Sequence, residues 1–287
     1  MKGLIEKDIV DGICEVRVRS WKVFLNYVTR EMLDFDSYIW RGQRCDHWVL
    51  QSTLDRLIEK ANVAKTKRYG FRSSHLEQFK YAVRGRRGQN PPLIENENDW
   101  WALGQHHGLA TPLLDWTTSP FAAAYFAFIN TGDNQTRYRV VYALEKVSIE
   151  EKAEDLLINE IIRREKIEKD IKNRKETVSK INRRLVITPI RHEIEFIRPL
   201  SDENQRLVNQ GGIFTRAPDG IDLESWIKKN YKGEDNEYVV IKILVPNRHR
   251  DECLKTLNRM NINHLTLFPD LYGASKYCNL FGEIEKY

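Results

Sequence analysis

The sequence has few of the residues and patterns that identify common protein classes. Its 287 residues include only four cysteines, at positions 14, 45, 253 and 278, without the paired spacing of a zinc site or a disulfide framework. No stretch approaches the roughly eighteen apolar residues that a membrane-spanning helix needs. The N-terminal residues lack the apolar segment of a signal peptide. We therefore expect a soluble, cytoplasmic protein that makes no membrane contact.

Several catalytic motifs are also missing from the sequence. It contains no Gly-rich phosphate loop, no dinucleotide glycine fingerprint, no His-Glu-x-x-His zinc helix and no Gly-x-Ser-x-Gly elbow. His106 and His107 are adjacent, so on a strand they would point to opposite faces and could not share one metal ion. Ser119 is expected to cap a helix, which occupies its hydroxyl with backbone amides. These observations argue against a metal centre and against a serine hydrolase.

The composition indicates a globular protein with a slight positive charge. Hydrophobic residues make up 41% of the chain and charged residues 30%, which is enough to bury a sizeable core. The formal net charge of +5 makes an anionic partner plausible. The excess is too small to favour nucleic acid over a nucleotide.

The apolar periodicity predicts an α+β fold, in which helices surround a central, mostly antiparallel sheet. Apolar residues from Trp21 to Met32 recur at helical spacing and predict a helix over about residues 15–33. Ser119 followed by Pro120 is a strong helix start. Content of β-branched and aromatic residues predicts strands near residues 38–41, 112–117, 139–145, 192–197, 213–215 and 238–245.

One segment, residues 149–185, differs from the rest of the chain. Isoleucines are scattered there among dense Lys, Arg, Glu and Asp residues, which predicts a charged helical insertion. Residues 1–148 and 186–287 would then be the N-terminal and C-terminal parts of one domain. The insertion is either a solvated helical arm or an arm that contacts an acidic partner, nucleic acid or protein.

Two polar segments predict a pocket. The first is Gln105-His106-His107-Gly108, followed by Thr111 and by Leu113-Leu114-Asp115-Trp116-Thr117-Thr118-Ser119-Pro120. It concentrates imidazoles, a carboxylate, an indole and hydroxyls directly before an apolar helix. The second is Tyr38-Ile39-Trp40-Arg41-Gly42-Gln43, in which an arginine closes an apolar strand. Chains rarely place so many hydrogen-bonding side chains beside a core element unless they form a site.

Each of these residues also has a purely structural interpretation. Arg41 either serves the site or forms a buried ion pair with Asp115. His106 and His107 either line the pocket or bond to the backbone of a turn. Asp115 either organises its loop or takes part in chemistry. Thr117 and Thr118 also have a structural interpretation, because threonine favours a strand. So does Gln210, because its neighbouring glycines indicate a bulge.

Four blocks in this order resemble the FRG domain family, named for an aromatic-Arg-Gly motif that reads Trp40-Arg41-Gly42 here. The other blocks are Gln105–Gly108 with Leu114–Pro120, Asn209-Gln210-Gly211-Gly212-Ile213-Phe214-Thr215, and Leu267-Phe268-Pro269-Asp270-Leu271-Tyr272-Gly273. The resemblance covers about residues 20–280, with the charged segment as an insertion.

The first three blocks also resemble those of ADP-ribosyltransferases of the arginine-serine-glutamate type. Arg41-Gly42 is similar to their first block, Thr117-Thr118-Ser119 to their second, and Gln210 lies where the third falls. The resemblance implies NAD as a substrate. It places the dinucleotide against Arg41, Gly42, Gln43, His106, Thr117, Thr118, Ser119 and Phe214, and it places the chemistry at His107, Asp115, Gln210 and Glu195.

The catalytic glutamate of that type is absent, because Gln210 cannot act as a base. Asp115, Glu193 or Glu195 supplies the carboxylate instead, or the reaction needs no base, or the pocket only binds its ligand.

Three functions follow from these patterns. The first is an NAD-dependent mono-ADP-ribosyltransferase that acts as a toxin or anti-phage effector on nucleic acid or protein, with an inhibitory partner protein as a further possibility. Its arginine and hydroxyl blocks should converge on one cleft. The second is a nucleic-acid-binding or nucleolytic protein that uses His107 and Asp115 as acid and base. The third is a non-enzymatic scaffold or sensor, in which the polar cluster is closed to solvent.

Overall fold

The protein is described from a computed structural model that covers residues 4–131, 136–173, 193–198, 210–233 and 237–287. Part of the expected insertion, residues 174–185, lies outside the described residues, as do His192 and Asn209.

Eight strands form one sheet, with the spatial order β1-β2-β8-β5-β3-β4-β7-β6. In chain order the strands are β1 Leu4–Val10, β2 Gly12–Val18, β3 Tyr38–Gln43, β4 Leu113–Thr117, β5 Tyr138–Glu145, β6 Glu195–Ile197, β7 Gly212–Arg216 and β8 Tyr238–Pro246. The paired strands are antiparallel apart from β2 and β8, which are parallel. The expected α+β fold with a mostly antiparallel sheet is thus confirmed.

The helices pack on both faces of this sheet. They are α1 Trp21–Tyr27, α2 Thr53–Lys60, α3 Arg68–Ala82, α4 Glu97–His106, α5 Pro120–Phe128, α6 Lys146–Asn173, α7 Leu223–Asn230, α8 Arg250–Arg259, α9 His264–Leu267 and α10 Leu271–Glu283. A π-helical turn, Val28–Met32, continues α1. Ser119 caps α5 by accepting a hydrogen bond from the amide of Ala122, and Pro120 begins the helix, as its sequence predicts.

Apolar side chains form a core on each face. Trp21 of α1 and Tyr125 of α5 pack with Val141 and Ile243 on the first face. Ile149 of α6 and Trp226 of α7 pack on the second. A third cluster lies beneath α2, α3 and α4 and includes Trp101, Leu113, Ile197 and Phe214. The second face also carries Arg41, opposite Tyr142 of β5.

The N-terminal segment differs from its expectation. The helix predicted over residues 15–33 begins only at Trp21, after the capping residue Ser20, and residues 12–18 form strand β2. Val16 and Val18 are buried between β1 and β8, so sheet pairing overrides the helical spacing that extends from α1. The long helix expected in the charged segment is confirmed for its described part, because α6 runs for 28 residues from Lys146 to Asn173.

Candidate functional site

Arg41 lies on one of the two neighbouring strands that share the fewest residue pairs in the described sheet. Strands β3 and β4 pair through one residue pair, Trp40 and Thr117, whereas β3 pairs with β5 at six positions. Beyond that single pair β3 and β4 separate, and the Arg41 side chain reaches across to the other strand. Its Nη1 donates to the carbonyl oxygen of Asp115 at 2.6 Å and lies 3.7 Å from Asp115 Oδ2. A guanidinium therefore bridges the seam between the two halves of the sheet.

This arrangement is not a closed ion pair. The Asp115 side chain is 63% exposed and that of Arg41 is 18% exposed. The short contact of Arg41 is made to a neutral carbonyl, and its Nε is buried without a hydrogen-bond partner among the described residues. An unsatisfied buried N–H of a charged group is costly. The described partners therefore do not use all the donors of this guanidinium.

Gln105 holds the Asp115 carboxylate in place. Its Nε2 donates to Asp115 Oδ1 at 2.6 Å, and its Oε1 accepts a short hydrogen bond from the hydroxyl of Thr111. Thr111 is tied in turn to the start of α2, because its amide donates to Thr53 Oγ1 at 2.9 Å. The site is therefore built from β3, β4, the end of α4 and the start of α2.

A second arginine, Arg56, stands close to Arg41. It lies one turn into α2, where its Nη1 donates to the carbonyl oxygen of Gln51 at 2.7 Å. Desolvation lowers the pKa of Arg56 from its ordinary value, and the neighbouring positive charge of Arg41 lowers it further. Positive charges that act on each other in this way repel, and an anion bound near both relieves that repulsion. The pair is suited to a phosphate or pyrophosphate group.

A phenol–carboxylate pair borders Arg41 on the same face of the sheet. Tyr142 is the residue opposite Arg41 on β5, and its hydroxyl donates to Glu224 Oε1 of α7 at 2.9 Å. Burial is the largest cause that raises the pKa of Tyr142 well above its ordinary value, and the charge of Glu224 is the next. The phenol therefore stays protonated. Glu224 is only 7% exposed. This pair therefore lies next to Arg41 and away from solvent.

The hydroxyl block of β4 serves the backbone around it. The Thr117 hydroxyl donates to the carbonyl oxygen of Gln210 and accepts from the amide of Ser119 at 3.1 Å. Ser119 caps α5, as described above. Thr118 is exposed beside Gly211, whose φ of +56° favours glycine and where a Cβ would lie 2.6 Å from the Thr118 hydroxyl. Trp40 and Thr117 are paired neighbours and share a face, so Thr117 points away from the face of Arg41.

Gln210 is also engaged in a contact within the fold. Its Nε2 donates to the carbonyl oxygen of Leu267 at 3.1 Å, which joins the third block of the sequence to the fourth.

Three other residues of the expected dinucleotide set are packed into the fold. A Cβ on Gly42 would lie 1.8 Å from the carbonyl oxygen of Ala123, so glycine here allows α5 to approach β3 closely. Gln43 is buried, and its Nε2 donates to the carbonyl oxygen of Trp48 at 2.7 Å. Phe214 is 3% exposed and belongs to the third core cluster.

The histidines and the remaining glutamates lie around the periphery. His106 ends α4 and His107 follows it as an exposed C-cap, and their rings meet edge to face with centroids 4.8 Å apart. Glu195 accepts a hydrogen bond from Asn98 Nδ2 at 3.0 Å, on the edge strand β6. Glu193 accepts from the indole of Trp226 at 2.6 Å. Of the three carboxylates considered as a base, the structure brings Asp115 to Arg41.

The sequence reasoning missed two contributors. Gln105 stands in the motif, and its position ten residues before Asp115 is compatible with a contact across a helix–strand turn. Arg56 gives no such signal, because its approach to Arg41 depends on how α2 docks against the sheet. Within the described ranges, no cluster of three or more His, Cys, Asp or Glu residues could hold a metal ion. None of the helices described is long and apolar enough to cross a membrane.

Comparison with known proteins is consistent with the first two sequence blocks. No curated protein and no solved structure shows a significant match to the chain. The model of the FRG domain matches residues 36–137, which include Arg41, Arg56, Gln105 and Asp115. The blocks around Gln210 and Leu267 lie outside the matched range. The chain is therefore similar to the FRG domain over residues 36–137.

Proposed function

We propose that this protein is an NAD-dependent mono-ADP-ribosyltransferase that modifies nucleic acid or protein. The observation that supports it most is Arg41 beside the exposed carboxylate of Asp115 at the open seam between β3 and β4, where the positive charge of Arg56 acts on it as the second of a pair. Such a pair can bind the pyrophosphate of NAD through several charge-assisted hydrogen bonds.

The proposed reaction breaks the glycosidic bond between nicotinamide and ribose C1′. Nicotinamide leaves as a neutral molecule, and positive charge develops on the ribose. The acceptor's nucleophilic atom then bonds to C1′ and gives up its proton. Asp115 is the carboxylate placed to stabilise that charge and to accept the proton. Gln105 and Arg41 fix its orientation through its side chain and its carbonyl oxygen.

The exposure of the site favours a binding role over a structural one. A scaffold with a satisfied polar network would keep that network away from solvent, yet most of the Asp115 side chain is exposed. A nucleolytic role for His107 and Asp115 has less support. No hydrogen bond or ion pair between these two side chains occurs in the described part of the chain, and Asp115 is committed to Gln105 and Arg41.

In the same proposal the enzyme works in the cytoplasm as a toxin or anti-phage effector, under the control of an inhibitory partner protein. Consumption of NAD and modification of cellular macromolecules would harm the producing cell, which is the reason to expect such a partner.

The test uses purified protein, NAD labelled in the adenylate moiety, and separate pools of cellular RNA, DNA and protein. We expect label transfer and nicotinamide release from the wild type. Arg41→Ala and Arg56→Ala should lose at least tenfold in NAD affinity, because each removes one charged partner of the pyrophosphate.

Arg30→Ala is the matched control, since Arg30 is an exposed arginine in the π-helical turn away from the seam. It should leave NAD affinity unchanged. Thermal unfolding of each variant verifies that the fold is kept. Absence of NAD binding by the wild type would refute the proposal, and unfolding of Arg41→Ala would identify Arg41 as a structural residue.

A further inference from the structure

The positive charge of the chain is concentrated in one short segment. Residues 65–88 contain eight Lys and Arg residues and a single acidic residue, Glu77, so their net charge of +7 exceeds the +5 of the whole chain. Among the described residues, Arg72 pairs with Asp55 and Asp219, and Lys80 pairs with Glu77, so at least these two cations are neutralised locally. The others lie on α3 and on the loops that flank it, mostly exposed. An ordinary solvated face mixes both signs, so this asymmetry needs another explanation.

The charged arm α6 provides the contrast. It carries seven Lys and Arg residues and eight Asp and Glu residues, which gives a net charge of −1. Several of its charges pair along the helix, such as Arg164 with Glu160 at 2.7 Å. The described part of the insertion is therefore a poor candidate for an anionic partner.

Aromatic side chains are interleaved with the cations of α3. Tyr69 is 77% exposed at the start of the helix and Tyr81 is 69% exposed at its end. Arg84 lies over the ring of Tyr81 at 3.6 Å from the centroid, and Arg87 lies over Trp100 at 5.2 Å. Large exposed rings are unfavourable in water without a partner. Their combination with cations matches the stacking platforms of single-strand-binding proteins.

Helix α3 packs against both helices that contribute to the proposed catalytic site. Helix α3 packs on α4, where Phe79 lies against Gly104, next to Gln105. On its other side α3 is tied to α2 by the ion pair of Arg72 and Asp55, one residue before Arg56. A ligand bound along α3 therefore lies on the same layer of helices that holds the two arginines and Asp115.

We propose that the α3 surface, formed by residues 65–93 and Trp100, binds single-stranded nucleic acid. The cations contact phosphates, and Tyr69, Tyr81 and Trp100 stack on bases that a duplex would keep buried. This inference rests on the proposed function in one respect, because it makes a single-stranded polynucleotide the acceptor class. Binding itself requires no NAD.

The test measures fluorescence anisotropy of the full chain with labelled oligouridylate, oligothymidylate and a DNA duplex of the same length, at several salt concentrations and without NAD. We expect either single strand to bind at least tenfold more tightly than the duplex. A preference for the ribose or the deoxyribose strand identifies the acceptor as RNA or DNA, and both support the proposal.

Charge reversal at two exposed positions, Arg84→Glu with Arg86→Glu, should weaken single-strand binding at least tenfold. The neutral pair Arg84→Ala with Arg86→Ala should reduce the slope of log K against log salt by about 1.4, since each phosphate that is no longer neutralised accounts for roughly 0.7. Tyr81→Ala should weaken binding about tenfold with the slope unchanged, because it removes stacking and no charge.

Lys166→Glu with Lys169→Glu on α6 is the matched control, with the same charge change, and should keep wild-type affinity. An equal decrease in affinity in this control would show non-specific attraction and overturn the proposal, as would tighter binding of the duplex or no binding at low salt. Arg41→Ala separates the two proposals, because it should lose NAD affinity and retain oligonucleotide binding.

Discussion

At the scale of single residues, the two oxygen-bearing groups of Asp115 have different partners. Its carbonyl oxygen accepts from Arg41 and ties β4 to β3, whereas its carboxylate points into solvent and is held by Gln105. The structural part of this residue is therefore its backbone, which any substitution retains. The chemical part is its side chain, which can be changed with little effect on the fold.

Asp115→Asn should separate these two parts. We expect the free energy of unfolding to change by less than about 1 kcal/mol, because exposed ion pairs contribute little. Loss of the carboxylate should lower the rate of nicotinamide release by about a hundredfold or more, which is the usual contribution of a positioned general base. Urea unfolding and single-turnover kinetics measure the two effects. A full rate from this variant would remove Asp115 from the chemistry.

For Gly42 we expect the opposite, a large effect of substitution on the stability of the fold. Gly42→Ala places a Cβ 1.8 Å from the carbonyl oxygen of Ala123 and 2.6 Å from the amide of Ala127, both of which are backbone atoms. Helix α5 must move away from β3, so we expect a loss of about 3 kcal/mol or more in the free energy of unfolding. Gly282→Ala in α10 is the control. A Cβ meets nothing within 4 Å there, so that variant should be neutral or slightly more stable.

The residues of the site were predictable to different degrees. Arg41 and Asp115 could be found because each stands in a dense polar motif at a strand, and the ion-pair alternative for them correctly placed them in contact. The hydroxyls of Thr117 and Ser119 looked similar in the sequence, yet they bond to nearby backbone. Sequence reveals that a side chain can form hydrogen bonds, whereas the partner depends on the backbone path.

At the scale of elements, the C-terminal helices dock through a buried histidine. His264 of α9 is 8% exposed, and its Nδ1 meets the hydroxyl of Tyr125 on α5 at 2.5 Å. Which of the two groups donates depends on the tautomer of the imidazole, and the ring is buried in either case. Burial of the ring is the larger cause that lowers the pKa of His264 below its ordinary value, and the positive charge of Lys276 is the smaller one.

The docking should therefore weaken in acid. The unfolded chain takes up a proton as the pH falls below about 6.5, while the folded imidazole resists protonation until a lower pH, so stability is complete above that range and is lost within it. We expect the Tm to fall between about pH 7.5 and pH 5.5, and to fall less in His264→Gln. His47→Gln is the control, because that side chain is 70% exposed. An unchanged pH profile in His264→Gln would contradict this account.

The elements themselves were mostly predictable, with an instructive exception at the N-terminus. All six expected strands occur, since each has a dense β-branched or aromatic run. The hairpin of β1 and β2 was missed, although Asp11-Gly12 is a strong signal for a two-residue turn. Both residues have positive φ, +48° and +80°, as a type I′ turn requires. The apolar residues from Trp21 onward recur at helical spacing, and the predicted helix was started too early, at residue 15, within strand β2.

At the scale of the whole molecule, the matched FRG segment is not a structural unit. Among the described residues, the strands that residues 36–137 supply are β3 and β4, which lie side by side within the sheet and pair with each other at one position. Their extensive partners, β5 and β7, come from later in the chain. No local pattern could predict this arrangement, because strand order depends on contacts between distant segments.

A fragment of residues 36–137 should therefore fail to fold. We expect a circular dichroism spectrum without a cooperative thermal transition and amide proton signals with little dispersion, since both strands would have exposed edges and half of their core would be missing. The full chain, measured in the same buffer, should unfold cooperatively. A dispersed spectrum from the fragment would show that β3, β4 and their helices suffice.

The parallel pairing of β2 with β8 has a consequence for synthesis of the protein. The β1–β2 hairpin is local and can form in microseconds, but its partner Tyr238–Pro246 leaves the ribosome more than two hundred residues later. At about 5–20 residues per second, the hairpin waits roughly 10–45 s with one edge unpaired. Contacts of such long range also slow folding after release. Because the Arg41 strand must wait for β5, the seam that carries Arg41 and Asp115 forms only after much of the sheet has been made.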